Sequence, residues 1–292
     1  MPQIIIVDKD SSNQRIDTYL SQVTDYSRSK IAIMIKDKKI LCNKTKVKAN
    51  YKISEGDIIS VGNYVPKTDH IEAVPMDLKI IHEDDDILVV DKPRGLAVHA
   101  GKGIYTPTLI NGLYDHIKPL KPGLVHRIDK NTSGLLVVAK NDKAHNTLAL
   151  QLLDKTMTRH YLAIVDGIID SPLTISAPIG PDLMDSKKMC IDLSNGKSAT
   201  TIVTPIKNTD SHSLVKCELL TGRTHQIRVH MAHIGHPLVE DNIYNKKYPD
   251  GSGQYLFAYH LEFIHPTSEK FESFETQVPN YFQSKLNSLG LE

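Results

Sequence analysis

Five consecutive apolar residues, Leu135-Leu136-Val137-Val138-Ala139, follow directly on the stretch HRIDKNTSG at 126–134. A short apolar run bounded by turn residues reads as a buried strand. Charge is at home in a surface loop, but not in a turn that feeds a core strand. Asp129 is therefore the residue to explain. An isolated buried carboxylate would be protonated, whereas an arginine partner would keep it ionised. Arg223, at a strand end in TGRTHQIR, is the candidate partner. A buried Asp–Arg pair on its own is as consistent with a structural role as with a chemical one.

Other chemistries compete for the same residues. A kinase catalytic loop needs H-R-D, a glycine-rich loop and D-F-G; here Ile128 intervenes and the other two are missing from the chain. HQIRVHMAHIGH offers His225, His230, His233 and His236, but no acidic or cysteine ligand completes a recognised metal spacing. Hydrogen-bonded core or phosphate-facing histidines are the simpler reading. The acidic turn Glu83-Asp84-Asp85-Asp86 does not follow calcium-loop spacing either. No bound metal is expected.

At 292 residues the chain is long enough for two domains. No apolar run approaches the roughly 20 residues of a membrane span, and the N-terminus lacks a signal-peptide pattern. Three widely spaced cysteines, Cys42, Cys190 and Cys217, suggest a reducing compartment, by default the cytosol. The net charge of +1 conceals an asymmetry: between Arg28 and Lys52 nine basic residues face Asp37 alone. Such a patch on an otherwise acidic chain points to a polyanion, although a solvated lysine face accounts for the charge equally well.

The basic region is patterned. Ser11, Ser12 and Asn13 are N-cap types ahead of a helix over 14–20. Ser27 opens a second helix whose Ile31, Met34 and Ile35 recur at helical spacing. Short strands at 40–43 and 53–61 complete a small α+β module. Residues 62–77, with Pro66 and Pro75, read as a linker. A hairpin of 78–82 and 87–91 follows. Asp142 is placed to cap a helix bearing Ala144, Leu148 and Leu152. Strands are expected at 161–165 and 214–219, and RTHQIRVHMAHIG reads as loop into helix. Asn195-Gly196 predicts a hairpin between 189–193 and 199–203.

The order QRIDTYL, SRSKIAIMI, ILCNK, KANYKISEGDIISV resembles the S4 RNA-binding domain, departing at Lys38 and Lys44, where that family usually places glycine. GLVHRIDKNTSGLLVVAK resembles the catalytic motif of the RluA/RluD class of RNA pseudouridine synthases. DKPRGLAVHAG, RHYLAIVDG, ELLTGRTHQIRVHMAHIGHPLVED and LFAYHLEFIHP match the same class in family order over 91–266.

This resemblance implies an α+β protein: an S4 domain at 1–65, a linker at 66–77, and a catalytic domain at 78–292 with a long mixed, mainly antiparallel sheet. The implied activity is isomerisation of uridine to pseudouridine in structured RNA, with large-subunit (23S) ribosomal RNA or a pre-ribosomal particle as the leading partner. No cofactor, metal or membrane is implied, and a monomer is expected. Asp129 would be the nucleophile, Arg223 would hold it ionised, and Tyr161 would pack on the target base. Arg127 would fill the space a flipped base leaves, and Arg28, Lys30, Lys38, Lys39 and Lys44 would contact RNA. The rivals are a non-catalytic RNA-binding or ribosome-assembly factor and a transfer-RNA-directed synthase.

Overall fold

In the computed structural model the strand Ser133–Ala139 is buried at every residue. Its side chains alternate between two cores, as the two-residue period of a strand requires. Leu136 and Val138 pack with Leu109 and Leu113 of the helix Leu109–His116. Leu135, Val137 and Ala139 pack with Ala144 and Leu148 of the helix Asp142–Leu153. A strand covered on both faces needs apolar residues at successive positions, which is why LLVVA is unbroken.

The structure describes residues 3–24, 26–62, 71–101, 106–118, 123–185 and 187–292. They fall into two units, Met1–His70 and Ile71–Glu292.

In the first unit the strands Gln3–Ile6, Ile58–Val61 and Ile40–Cys42 form an antiparallel sheet in that spatial order. The helices Ile16–Val23 and Arg28–Lys36 pack on it through Ile16, Leu20, Ile31 and Met34, all fully buried. Ser27 caps the second helix, accepting from Lys30 N. The first helix corrects the expectation: its N-cap is Arg15, without a side-chain cap bond, and Ser11–Asn13 precede it in a turn. Its early N–H groups are met from elsewhere, Ile16 N by Tyr51 O and Asp17 N by Ala49 O, so tertiary bonds replace the cap. Lys38 and Lys44 adopt left-handed φ of 60° and 61°, the conformation in which glycine carries no penalty.

Residues 63–70, half of the linker expected over 62–77, lie outside the described residues. Residues 71–77 form no helix or strand; Val74 N donates to Asn111 O, and Asn111 Nδ2 to Glu72 O. This stretch packs on the second unit.

The long sheet of the second unit runs, in spatial order, Lys79–Glu83, Ile87–Lys92, Ser133–Ala139, Leu256–Ile264, Thr158–Asp166, His212–Leu219, Thr200–Asn208, Leu173–Ser176. Its pairs are antiparallel except Ser133–Ala139 with Leu256–Ile264, which is parallel. The expected mixed, mainly antiparallel sheet is therefore present. Gly134 makes the parallel junction possible: its φ is +114°, and a Cβ there would stand 2.1 Å from Ala258 O.

Two local expectations are corrected. Asn141, not Asp142, caps the helix Asp142–Leu153, accepting from Ala144 N at 2.8 Å. The strands flanking Asn195-Gly196 do not pair with each other. Met189–Ile191 pairs with Ile179–Pro181, and Thr200–Asn208 with its two sheet neighbours. Asp192 Oδ1 accepts from Ser194 N and Asn195 N, and Lys197 N donates to Ile179 O. The turn thus directs the chain away from a two-residue hairpin. Among the described residues no helix is long and apolar enough to cross a membrane.

Candidate active site

Asp129 closes the turn into the central strand, with Thr132 N donating to its carbonyl. The turn is held from below by the segment DKPRGL. Lys92 is fully buried, and its ammonium donates to Pro93 O (2.8 Å), Leu96 O (2.8 Å) and Lys130 O (3.1 Å). Gly95 N also donates to Lys130 O, and Gln254 Nε2 to Thr132 Oγ1. Burial lowers the Lys92 pKa to about 7, against the pull of the Asp129 and Asp91 charges. Three carbonyl dipoles converge on this one amine and fix the loop that presents Asp129.

The partner of the carboxylate is Arg228, in place of the Arg223 expected from sequence. Arg228 Nη1 donates to Asp129 Oδ2 at 3.0 Å. Its Nε and Nη2 donate to the two oxygens of Asp241 at 2.7 and 2.9 Å. Arg228 and Asp241 are 4% and 0% exposed, Asp129 17%. Burial alone would lower the Arg228 pKa, but hydrogen bonding to Asp241 and the charge of Asp129 outweigh it and raise it. The guanidinium is held at two corners by a bidentate pair, the geometry in which arginine is most sharply oriented, and it aims a third N–H at Asp129.

Arg223 takes another position. It lies before the helix Gln226–His233, its Nε donating to Ser198 O at 2.9 Å and its own N–H to Gln226 Oε1. His225, at left-handed φ of 56°, separates this loop from the helix that carries Arg228. Two arginines five positions apart in one motif thus face different partners.

Asp129, Tyr161, Arg127, Arg223, His225 and Arg228 line one cavity. The sequence-predicted catalytic trio of Asp129, Tyr161 and Arg223 therefore lines one cavity, and Arg127, expected to fill the place of a flipped base, lines it too. Tyr161 sits in the strand Thr158–Asp166, paired to Cys217 on one side and Ala258 on the other. Burial pushes its phenol up to about 12, so it stays protonated at physiological pH. His225 lies 3.9 Å from Asp129 and bonds Tyr244 OH through Nδ1; burial lowers its pKa against the pull of Asp129. A carboxylate oriented by an arginine, in a partly apolar cavity that a neutral phenol also lines, is equipped to meet developing positive charge.

Lys92, Arg228 and Asp241 are site residues not expected from the sequence, and His225 is expected only as a candidate metal ligand or core histidine. Each lies inside one of the family-like motifs, DKPRGLAVHAG or ELLTGRTHQIRVHMAHIGHPLVED, so local sequence carries their presence but not their partners.

Hydrogen bonds engage several of the candidate metal-ligating side chains. His230 bonds Thr201 Oγ1 through Nδ1 and Ala177 O through Nε2, a satisfied core histidine. Asp84, Asp86 and His265 present ligand atoms within 4.8 Å of one another. The Asp84 carboxylate, however, already accepts from Asp86 N, Ile87 N, His82 and His265, and Asp86 from Asn141.

In the first unit Lys38, Lys39 and Lys44 are exposed. Arg28 is also exposed but bonds Asp17 Oδ2 at 3.2 Å, and Lys30 stands over the Tyr26 ring.

Residues 86–233 match the family described as RNA pseudouridylate synthase, and residues 14–59 the S4 domain. The chain is 44% identical to YlyB of Bacillus subtilis (strain 168), named as an uncharacterized RNA pseudouridine synthase, over 98% of this chain and 97% of that one. It is 40% identical to ribosomal large subunit pseudouridine synthase D of Neisseria meningitidis serogroup B, over 95% of this chain and 79% of that one. Among solved structures, human RNA pseudouridylate synthase domain containing 1 superposes with a TM-score of 0.59 at 29% identity, covering 76% of this chain and 90% of that chain.

Proposed function

The chain belongs to the RNA pseudouridine synthase family, with an S4 domain ahead of the catalytic one, and from that premise we propose that it isomerises uridines of large-subunit ribosomal RNA, with Asp129 as the nucleophile. The observation that carries the chemistry is the Arg228 guanidinium, which orients the Asp129 carboxylate into the cavity that Tyr161 also lines. The name and coverage of the Neisseria relative support the choice of RNA.

The reaction breaks the N1–C1′ bond of uridine and forms a C5–C1′ bond to the same base. C5 loses a proton and N1 gains one, so atoms and electrons balance within the nucleotide and no redox partner is called for. As N1 leaves, the Asp129 carboxylate meets the charge growing at C1′. Arg228 keeps that carboxylate ionised and aimed. Tyr161 packs its neutral ring on the detached base while it turns. The uridine must first leave its stack, at a cost of a few kcal/mol. Arg127, exposed and lining the cavity, would occupy the vacated space, since its planar cation can stack and bond phosphate together. The lysines of the S4 domain add phosphate contacts. The three unpaired cysteines suit a reducing compartment, and the cytosol is the proposed location.

The test is release of tritium from RNA labelled at uridine C5, combined with pseudouridine mapping of total RNA with and without the gene. Sites lost from large-subunit ribosomal RNA are expected. Sites lost only from transfer RNA would overturn the choice of substrate and leave the chemistry standing.

A further inference from the structure

Beside the active-site cavity lies a second cleft of about 460 Å³, within the roughly 300–1,000 Å³ of ligand pockets. Arg127 and Arg223 line both cavities. Whatever occupies the cleft is therefore contiguous with whatever occupies the active site.

The cleft contains an uncompensated cation. Arg159, at the start of RHYLAIVDG, is 6% exposed. Its Nη2 donates to Leu219 O at 3.2 Å, and its Nε is buried without a partner. Among the described residues no carboxylate stands within ion-pair distance of it. Burying a charge without a counter-charge is costly, and the other buried arginine of the site, Arg228, is paired with two carboxylates. His126 adds a second orphan. Its Nε2 accepts from Val137 N, so Nδ1 carries the proton, and Nδ1 is buried without a partner. Burial and the neighbouring Arg159 charge lower its pKa to about 3, leaving a neutral donor.

Gly222 also lines the cleft, beside Arg159. A Cβ on Gly222 would stand 2.9 Å from Arg159 Nη1. Any other residue there would crowd the guanidinium just under the surface. Part of the lining is apolar: Leu152 and Leu153 of the helix Asp142–Leu153 line the cleft, and Leu153 is 74% exposed.

Resting on the reading of the site as a uridine isomerase, we propose that this cleft is a subsite for the nucleotide adjoining the target uridine, with its phosphate on Arg159 and its base against Leu152 and Leu153. The phosphate supplies the anion that Arg159 lacks. Arg127 and Arg223 reach the same backbone from the active-site side, and Lys155 lies at the outer edge. Recognition then extends one nucleotide beyond the reacting base. A charge-assisted bond to phosphate at a buried arginine contributes more than a surface contact.

The experiment uses the full chain and a synthetic RNA stem-loop carrying a mapped target uridine. Each linkage around the target is replaced in turn by an uncharged methylphosphonate, and RNA affinity is measured for wild type, Arg159→Met and Leu153→Glu. Wild type is expected to lose about tenfold at one linkage next to the target. Arg159→Met should bind the unmodified RNA about tenfold more weakly and lose nothing further at that linkage. Leu153→Glu, a change at an exposed position that keeps the protein foldable, should also weaken binding, and the same methylphosphonate should relieve it. Equal losses for all three proteins at every linkage would overturn the subsite. Should Arg159→Met fail to fold, the response of Leu153→Glu decides alone. Wild-type tritium release on the unmodified stem-loop separates the two readings. Release without linkage coupling removes the subsite and keeps the function; no release removes both.

Discussion

Arg228 Nη1 stands 3.0 Å from Asp129 Oδ2 across 99 residues of sequence, while the rest of the same guanidinium grips Asp241 at both oxygens. The two carboxylates have different duties. Asp241 is wholly buried and also accepts from Ile243 N and Tyr244 N. Asp129 retains one oxygen free of Arg228 and faces the cavity.

Asp129→Asn should therefore abolish tritium release yet fold well. Arg228 keeps its bidentate partner, so the stability cost should be about 1–2 kcal/mol. Asp241→Ala strands a buried guanidinium and several turn N–H groups, and should cost about 3–5 kcal/mol. Urea melts of both variants beside the tritium assay check the pair. An Asp129→Asn protein that folds, binds RNA and still isomerises uridine would refute the mechanism.

Arg127→Ala should bind RNA but turn it over slowly, because the vacated stack position is left empty. Placing the target uridine in a flexible unpaired loop should restore part of the single-turnover rate. Equal defects on stacked and unpaired substrates would move Arg127 away from base flipping.

Charge reversal of Lys38, Lys39 and Lys44 should weaken RNA binding and flatten its dependence on salt, since each lost phosphate contact reduces the counterion release. The single-turnover rate at saturating RNA should stay close to wild type. A collapse of that rate with binding intact would assign the S4 face a part in the chemistry.

His126 gives stability a pH signature. Its folded pKa, about 3, lies below the ordinary value of 6.5, pushed down by burial and then by Arg159. Between these values the unfolded chain binds a proton that the native protein refuses. Its contribution therefore favours folding above pH 6.5 and is lost as pH falls toward 3. His126→Phe should cost about 1–3 kcal/mol at neutral pH, because Val137 N–H loses its acceptor. Between pH 7.5 and 5 it should lose about 1–2 kcal/mol less than wild type. Parallel slopes in urea titrations at these pH values would contradict the assignment.

The sequence by itself determined the strand at 135–139, the second helix with its Ser27 cap, the basic face of the S4 module and the position of Asp129. Each is written in local terms: an unbroken apolar run, a 3.6-residue period, a capping side chain, a charge beside a core strand. Only the tertiary structure decided what holds each piece. The first helix has no side-chain cap because Tyr51 and Ala49 carbonyls, thirty-odd residues away, satisfy its N–H groups. Asn195-Gly196 makes no hairpin because its flanking strands find better partners in other strands. Arg223 and Arg228 share one motif, and sequence cannot rank them. The left-handed turn at His225 sends one to the cavity wall and the other beneath Asp129. Local patterns report the preferences of the chain for itself, whereas an ion pair between residues 99 positions apart depends on the whole sheet closing first.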